Sequence, residues 1–146
     1  MQEKTKKNKQ SKRAGYIASV VVNGIIIFIL NYLPNWDIPF ITKYYSNCLW
    51  AINLSLGATI IANFIFIFYN ENWFLHLLQV FTSITAFIAF YVINEIFPFA
   101  FEGDIWYTLL RVFLIAGMVI SILSAIYNII RTALPFRKKH NERVRE

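Results

Sequence analysis

Two charged residues, Glu95 and Arg111, stand in segments that are otherwise apolar enough for a lipid bilayer, within the stretch NEIFPFAFEGDIWYTLLRV. If these segments are antiparallel helices joined by a turn near residues 101 and 102, Arg111 lies roughly 4.5 Å deeper than Glu95. A snorkelling arginine side chain spans that distance. We therefore predict an intramembrane ion pair that clamps the hairpin.

Charges inside a membrane often mark functional sites. Two alternatives stay open: Arg111 binds an anion or lipid headgroup, or Glu95 serves a proton-coupled process.

Amide and hydroxyl side chains also interrupt the apolar segments. Hydrogen bonds between such groups on neighbouring membrane helices contribute only about 0.6 kcal/mol each on average. The simpler interpretation is therefore that they fix helix packing and register. The alternative is a polar path across the bundle, which would require an oligomer because four helices alone rarely enclose a pore. The candidates for these two roles are Asn23, Asn53, Asn63, Thr82, Asn94 and Asn128.

The segments that carry these residues are predicted membrane-spanning helices. The chain is 58% hydrophobic and its mean hydropathy is +0.51, whereas soluble domains are about 45–50% apolar. Apolar runs of about 18 or more residues are typical of membrane spans, and prolines interrupt such helices. We predict an all-α polytopic membrane four-helix bundle, with spans at about 15–33, 44–69, 74–97 and 105–134, and basic tails at 1–14 and 135–146.

The positive charges predict the orientation of this bundle. Of the 14 lysines and arginines, six lie in residues 1–13 and six in residues 131–146. Basic residues that flank spans stay on the cytoplasmic side, so we predict that both termini are cytoplasmic. The tails are expected to contact anionic lipid headgroups, at about 1 kcal/mol per contacting cation. They contain no motif that indicates nucleic-acid binding.

Small residues predict where the helices meet, because membrane helices approach closely at small side chains. The second segment has one continuous stripe of them, and the third and fourth have shorter series. The predicted contact positions are Ala51, Ser55, Ala58 and Ala62 on the second segment, Ser83, Ala86 and Ala89 on the third, and Gly117, Ser121 and Ala125 on the fourth.

Several kinds of chemistry have no support in the sequence. The motifs HExxH and GxSxG and a phosphate-binding glycine loop are missing. Cys48 is the single cysteine and is expected to be a packing residue. His76 and His140 are the two histidines, and His76 is expected at a membrane interface. We therefore predict no metal site, no cofactor and no enzymatic activity.

Four stretches carry a resemblance: LPNWDIPFIT, LWAINLSLGATIIANFIFIFYNENWF, IFPFAFEG and WYTLLRVFLIAG. Together they resemble an uncharacterised family of small bacterial four-helix integral membrane proteins, over about residues 16 to 125 and without the tails. The resemblance implies a multi-pass protein of the bacterial inner membrane. It implies no activity, ligand or catalytic residue.

The function predicted from these observations is non-enzymatic. We expect an interaction or accessory protein, or a lipid-binding protein, that forms a homo-oligomer or binds another membrane protein. The main alternative is a small oligomeric transporter or channel. A third hypothesis is a lipid-modifying enzyme that uses Glu95 as a base and Arg111 to hold a phosphate.

Overall fold

The structure is a computed structural model, and it describes the backbone of residues 2–69, 71–101 and 103–143. Side chains are described within 10–69, 71–101 and 103–133, so the headgroup contacts predicted for the outermost residues of both tails lie outside the described residues. The described chain is all-α, as predicted. Its helices are α1 (Gln2–Tyr32), α2 (Leu49–Phe68), α3 (Asn72–Ile96) and α4 (Asp104–Arg143).

Each of these four helices contains a stretch long and apolar enough to cross a membrane. Consecutive spans alternate in direction, so the connections between α1 and α2 and between α3 and α4 lie at one end of the bundle. We call this the bridged end, because an isolated antiparallel bridge joins Ile41 to Phe99 there. The beginning of α1 and the end of α4 lie at the opposite end of the bundle, which we call the terminal end.

The helix boundaries differ most from the predicted spans at three places. α1 continues through the basic segment to Gln2, and α4 continues past Pro135 to Arg143. Lysine and arginine are good helix formers, so both helices extend beyond their apolar stretches. α2 begins at Leu49 instead of residue 44, because the segment Lys43–Asn47 forms a tighter 3₁₀ turn.

The helices pack in the order of the chain. α1 contacts α2, α2 contacts α3, and α3 contacts α4, the last of these being the most extensive contact. Within the described ranges, α1 and α4 do not contact each other. One consequence is that both carry many exposed apolar side chains, among them Ile25, Phe28, Ile120 and Leu123. In a bilayer these faces meet lipid or another protein.

Two kinds of side chain fill the interior of this arrangement. A cluster of Tyr45, Cys48 and Ile52 packs the bridged end, where Leu30 and Val92 cover it. Small residues fill the helix–helix contacts, as predicted from their spacing. The buried members are Ala51, Ala58, Ala62, Ser83, Ala89 and Ser121.

The two connections at the bridged end are fastened to each other. The Thr42 amide donates a hydrogen bond to the Pro98 carbonyl (2.9 Å), and the Ala100 amide donates one to the Phe40 carbonyl (2.9 Å). The Phe40 ring also stacks on the Phe101 ring at a centroid distance of 5.6 Å. These contacts fix the ends of α1 and α2 relative to the ends of α3 and α4.

The α3–α4 turn depends on two residues with positive φ. Phe97 caps α3 in the left-handed region with a φ of 41°, and its amide donates to the Ile93 carbonyl. Gly103 has a φ of 122°, where a side chain would be strained. This geometry directs the chain into α4, whose first turn contains Asp104. An acidic residue there interacts favourably with the helix dipole.

Candidate functional site

The Arg111 side chain lies against two aromatic rings at the bridged end of α4. Its guanidinium carbon is 5.1 Å from the centre of the Tyr107 ring and 5.5 Å from the centre of the Phe97 ring. The two rings contact each other at a centroid distance of 4.6 Å. Tyr107 precedes Arg111 by one helical turn, and helical side chains lean toward the N-terminus. The guanidinium is therefore directed toward the bridged end.

Arg111 and Glu95 do not form the predicted ion pair in the part of the chain that the structure describes. Both side chains are exposed, and the guanidinium contacts aromatic rings instead of the carboxylate. The reason is the rotation of Glu95 around α3. α3 contacts α4 through Phe90, and five further residues rotate Glu95 by roughly 140° away from that line. Glu95 therefore lies on a face of α3 that is turned away from α4.

The contact between α3 and α4 follows a seven-residue spacing. α3 contacts α4 side chains through His76, Ser83 and Phe90, and its C-cap residue Phe97 continues the spacing. On α4, Leu114, Ser121 and Asn128 are buried at the same spacing. A seven-residue repeat keeps one face of each helix in contact with its neighbour as the two coil around each other. This seam brings together polar residues that are far apart in sequence.

The polar part of the seam joins His76 to the centre of α4. His76 Nδ1 lies 2.8 Å from the Asn128 amide oxygen, and the Asn128 amide nitrogen donates to the Ser124 carbonyl (2.8 Å). A carbonyl can only accept, so the Asn128 oxygen must face His76, and His76 Nδ1 must carry the proton. Ser83 completes the series: its hydroxyl oxygen lies 2.9 Å from Ser124 Oγ and 2.8 Å from the Gln79 carbonyl oxygen of its own helix. Asn128 was among the predicted contact residues, whereas His76 was predicted to be an interfacial residue without such a role.

A second polar contact joins α1 to α2. The Asn31 side-chain amide donates to the Asn53 amide oxygen at 2.7 Å, and Asn53 donates back to Asn31 at 2.9 Å. Asn53 was predicted to make interhelical contacts, but its partner Asn31 was not among the candidates. Asn31 lies close to the end of the first apolar segment, where an asparagine is easily interpreted as part of a loop.

The remaining candidates do not extend these contacts into one path. Asn23 donates to the Ser19 carbonyl, Asn63 to the Thr59 carbonyl and Thr82 to the Gln79 carbonyl, so each of the three bonds within its own helix. The Asn94 amide oxygen is buried without a hydrogen-bond partner in the structure. The predicted polar residues are thus divided between two interhelical contacts and several local ones.

α4 carries the same residue pair at both ends of its apolar stretch. Arg131 lies 5.5 Å from the Tyr127 ring centre, and its Nε donates to the Tyr127 hydroxyl at 3.0 Å. Arg131 follows Arg111 by 20 residues, or about 30 Å of helix. That length equals the hydrocarbon thickness of a typical bilayer, about 30 Å. A tyrosine one turn before each arginine was a signal that sequence reasoning missed.

The bridged end also contains a cleft, which we call the rim cleft. Its volume is about 230 Å³, and it lies in the connection between α1 and α2. The polar residues that line it are Asp37, Thr42, Lys43 and Ser46, and Leu33 and Ile41 are among the apolar ones. The Lys43 ammonium lies 5.5 Å from the centre of the Tyr44 ring.

Comparison with known proteins finds no relative whose functional residues could be matched to these. No protein-family model, no curated protein and no solved structure matches the chain.

Proposed function

We propose that this multi-pass membrane protein is non-enzymatic and acts by binding, with Arg111 as a contact for the phosphates of anionic lipids. The observation that carries the proposal is the exposed Arg111 guanidinium held against Phe97 and Tyr107. An arginine over aromatic rings gains about 0.5–2 kcal/mol from the cation–π contact. That contact uses the face of the guanidinium and leaves its five N–H donors for a phosphate.

The position of Arg111 along α4 supports a lipid ligand. Arg111 and Arg131 are separated by about the thickness of the hydrocarbon core, so both guanidiniums can reach headgroup level when the apolar stretch is in the bilayer. The aromatic side chains of Tyr107 and Trp106 are exposed beside Arg111. Tyrosine and tryptophan favour this interfacial level.

We also propose the bacterial inner membrane as the location, with both termini in the cytoplasm. The clustering of basic residues at both ends of the chain supports this orientation. The resemblance to small bacterial four-helix membrane proteins supports the location. The exposed faces of α1 and α4 would then accommodate a second copy or another membrane protein, besides lipid.

The test is lipid retention measured by native mass spectrometry on protein reconstituted with phosphatidylglycerol and phosphatidylcholine. Wild-type protein should retain phosphatidylglycerol preferentially, and Arg111→Gln should reduce that preference about tenfold, because a hydrogen-bonded charge pair is lost. Glu95→Gln is the matched control. It changes a neighbouring exposed charge that does not contact Arg111, and it should not reduce the preference.

Two results would contradict this proposal. The first is an unchanged phosphatidylglycerol preference in Arg111→Gln. The second is saturable turnover of a substrate that Arg111→Ala abolishes, since that result would assign the protein to the enzymes.

The polar seam favours a second candidate, a small oligomeric transporter or channel. His76, Asn128, Ser124 and Ser83 form a series of hydrogen bonds between α3 and α4, and an oligomer could extend it across the bilayer. Proteoliposomes would then pass an ion or solute, and Asn128→Leu would change the rate. The absence of flux across a broad panel of ions and solutes would argue against this candidate.

A further inference from the structure

We infer that the rim cleft is a binding site for a zwitterionic phosphoethanolamine group. The Asp37 carboxylate would bind the ammonium group. The Lys43 ammonium would bind the phosphate, and the Ser46 hydroxyl would donate a further hydrogen bond to it. The site is separate from Arg111 and stands independently of the function proposed above.

The charges that line the cleft indicate the class of ligand. Asp37 and Lys43 both line it, and among the described side chains the structure has no ion pair between them. The Lys43 ammonium contacts the Tyr44 ring instead, which leaves its hydrogen-bond donors available. One anionic and one cationic side chain on the same cleft suit a ligand that carries both charges. A purely anionic phosphate would be repelled by Asp37.

The walls of the cleft are held in place by contacts outside it. Leu33 and Ile41 pack against the buried cluster of Tyr45, Cys48 and Ile52. The Ile41 amide donates to the Ile38 carbonyl (3.0 Å), and the bridge to Phe99 fastens the same segment to the α3–α4 turn. Asp37 is held in the left-handed region with a φ of 45°. A preorganised site of this kind loses less entropy when it binds.

The depth of the cleft matches a lipid headgroup. It is flanked by the exposed aromatic side chains of Trp36 and Tyr44, which are typical of the membrane interface. Its volume of about 230 Å³ equals roughly seven to eight water volumes at about 30 Å³ each, which accommodates a phosphoethanolamine group. The Thr42 hydroxyl oxygen, on the same segment, is buried without a hydrogen-bond partner in the structure, so a small rearrangement that admits a ligand oxygen would also satisfy this group.

The experiment compares three phospholipids with identical acyl chains on reconstituted full-length protein, again by native mass spectrometry. Phosphatidylethanolamine should be retained about tenfold better than phosphatidylcholine, whose quaternary ammonium cannot donate a hydrogen bond to Asp37. The Asp37→Asn variant should lose this preference, and Lys43→Gln should weaken retention of phosphatidylethanolamine. Asp104→Asn removes another exposed acid at the same end and is the matched control, which should behave as wild type.

Soluble glycerophosphoethanolamine distinguishes the source of the group. If glycerophosphoethanolamine competes with the lipid, the cleft recognises the headgroup alone. If the lipid is retained and glycerophosphoethanolamine does not compete, the cleft recognises the headgroup only as part of a bilayer lipid. Both results support the inference, provided that the preference depends on Asp37. If Asp37→Asn does not fold, the wild-type protein should still bind glycerophosphoethanolamine more tightly than glycerophosphocholine.

The inference is overturned if wild-type protein retains phosphatidylethanolamine and phosphatidylcholine equally, or if a folded Asp37→Asn variant keeps the preference for ethanolamine. Arg111→Gln separates this outcome from the proposed function. It should retain phosphatidylglycerol with a reduced preference and keep the preference for phosphatidylethanolamine over phosphatidylcholine.

Discussion

Asn31 and Asn53 exchange two hydrogen bonds across the α1–α2 contact, at 2.7 and 2.9 Å, and Asn31 also donates to the Ile27 carbonyl of its own helix at 2.8 Å. In a bilayer neither amide has water as an alternative partner on its apolar side. The pair therefore defines the register of α1 on α2, and it does so at the level just below the rim cleft.

Replacing either asparagine of this pair should destabilise the folded protein. We expect Asn31→Ala and Asn53→Ala each to lower the free energy of unfolding by about 1–2 kcal/mol, because the remaining amide loses both of its interhelical hydrogen bonds. The double variant should lose less than the sum, with a coupling of about 0.6–1.7 kcal/mol. Asn63→Ala, whose amide bonds within its own helix, is the control and should lose less. Purely additive losses in reversible unfolding would contradict the pairing.

Two glycines provide a test of the α3–α4 contact. A Cβ atom on Gly117 would lie 2.8 Å from the Phe90 ring, whereas one on Gly57 would meet nothing within 4 Å. Alanine improves the helix propensity at both sites by about 0.5–1 kcal/mol. We expect Gly57→Ala to be neutral or stabilising and Gly117→Ala to destabilise by about 1–3 kcal/mol through overpacking. Phe90→Leu should restore part of the stability of Gly117→Ala. Equal effects of the two alanine substitutions on thermal unfolding would argue against the contact.

Cys48 should be unreactive in the folded protein. Its side chain is fully buried, and burial raises the pKa of its thiol to about 11. The thiolate is the reactive form, so at pH 8 little of it is present, and its fraction grows only as the pH approaches the raised pKa. We expect negligible labelling by a small maleimide at pH 8 and complete labelling after denaturation. Rapid labelling of the folded protein at pH 8 would show that the cluster opens.

Glu95 and Arg111 should behave as energetically independent residues. The structure turns Glu95 away from α4, and the Arg111 guanidinium contacts Tyr107 and Phe97. In a double-mutant cycle with Glu95→Gln and Arg111→Gln, the coupling in the unfolding free energy should stay within about 0.5 kcal/mol. A cycle of Tyr107→Leu with Arg111→Gln should give about 0.5–1 kcal/mol. A larger coupling between Glu95 and Arg111 than between Tyr107 and Arg111 would support the ion pair that the sequence predicted.

The sequence by itself determined the number of membrane-crossing helices, because apolar length and proline placement are local properties of the chain. It also indicated many of the positions that are buried between helices: Ala51, Ala58 and Ser83 were predicted as contacts and are buried, whereas the predicted contacts Ser55 and Ala86 are half-buried. Small side chains permit close approach regardless of which helix is opposite, so their spacing is informative before the partner is known.

The tertiary structure decided which polar and charged groups meet. Depth in the bilayer can be counted from a turn, but the face that a residue presents depends on which neighbour its helix packs against. Glu95 and Arg111 were predicted at similar depths, but Glu95 lies on a face of α3 that does not meet α4. His76 and Asn128 are 52 residues apart in sequence and meet on the α3–α4 seam. The rim cleft depends likewise on the bridge from Ile41 to Phe99, a contact between two connections whose sequences do not indicate their pairing.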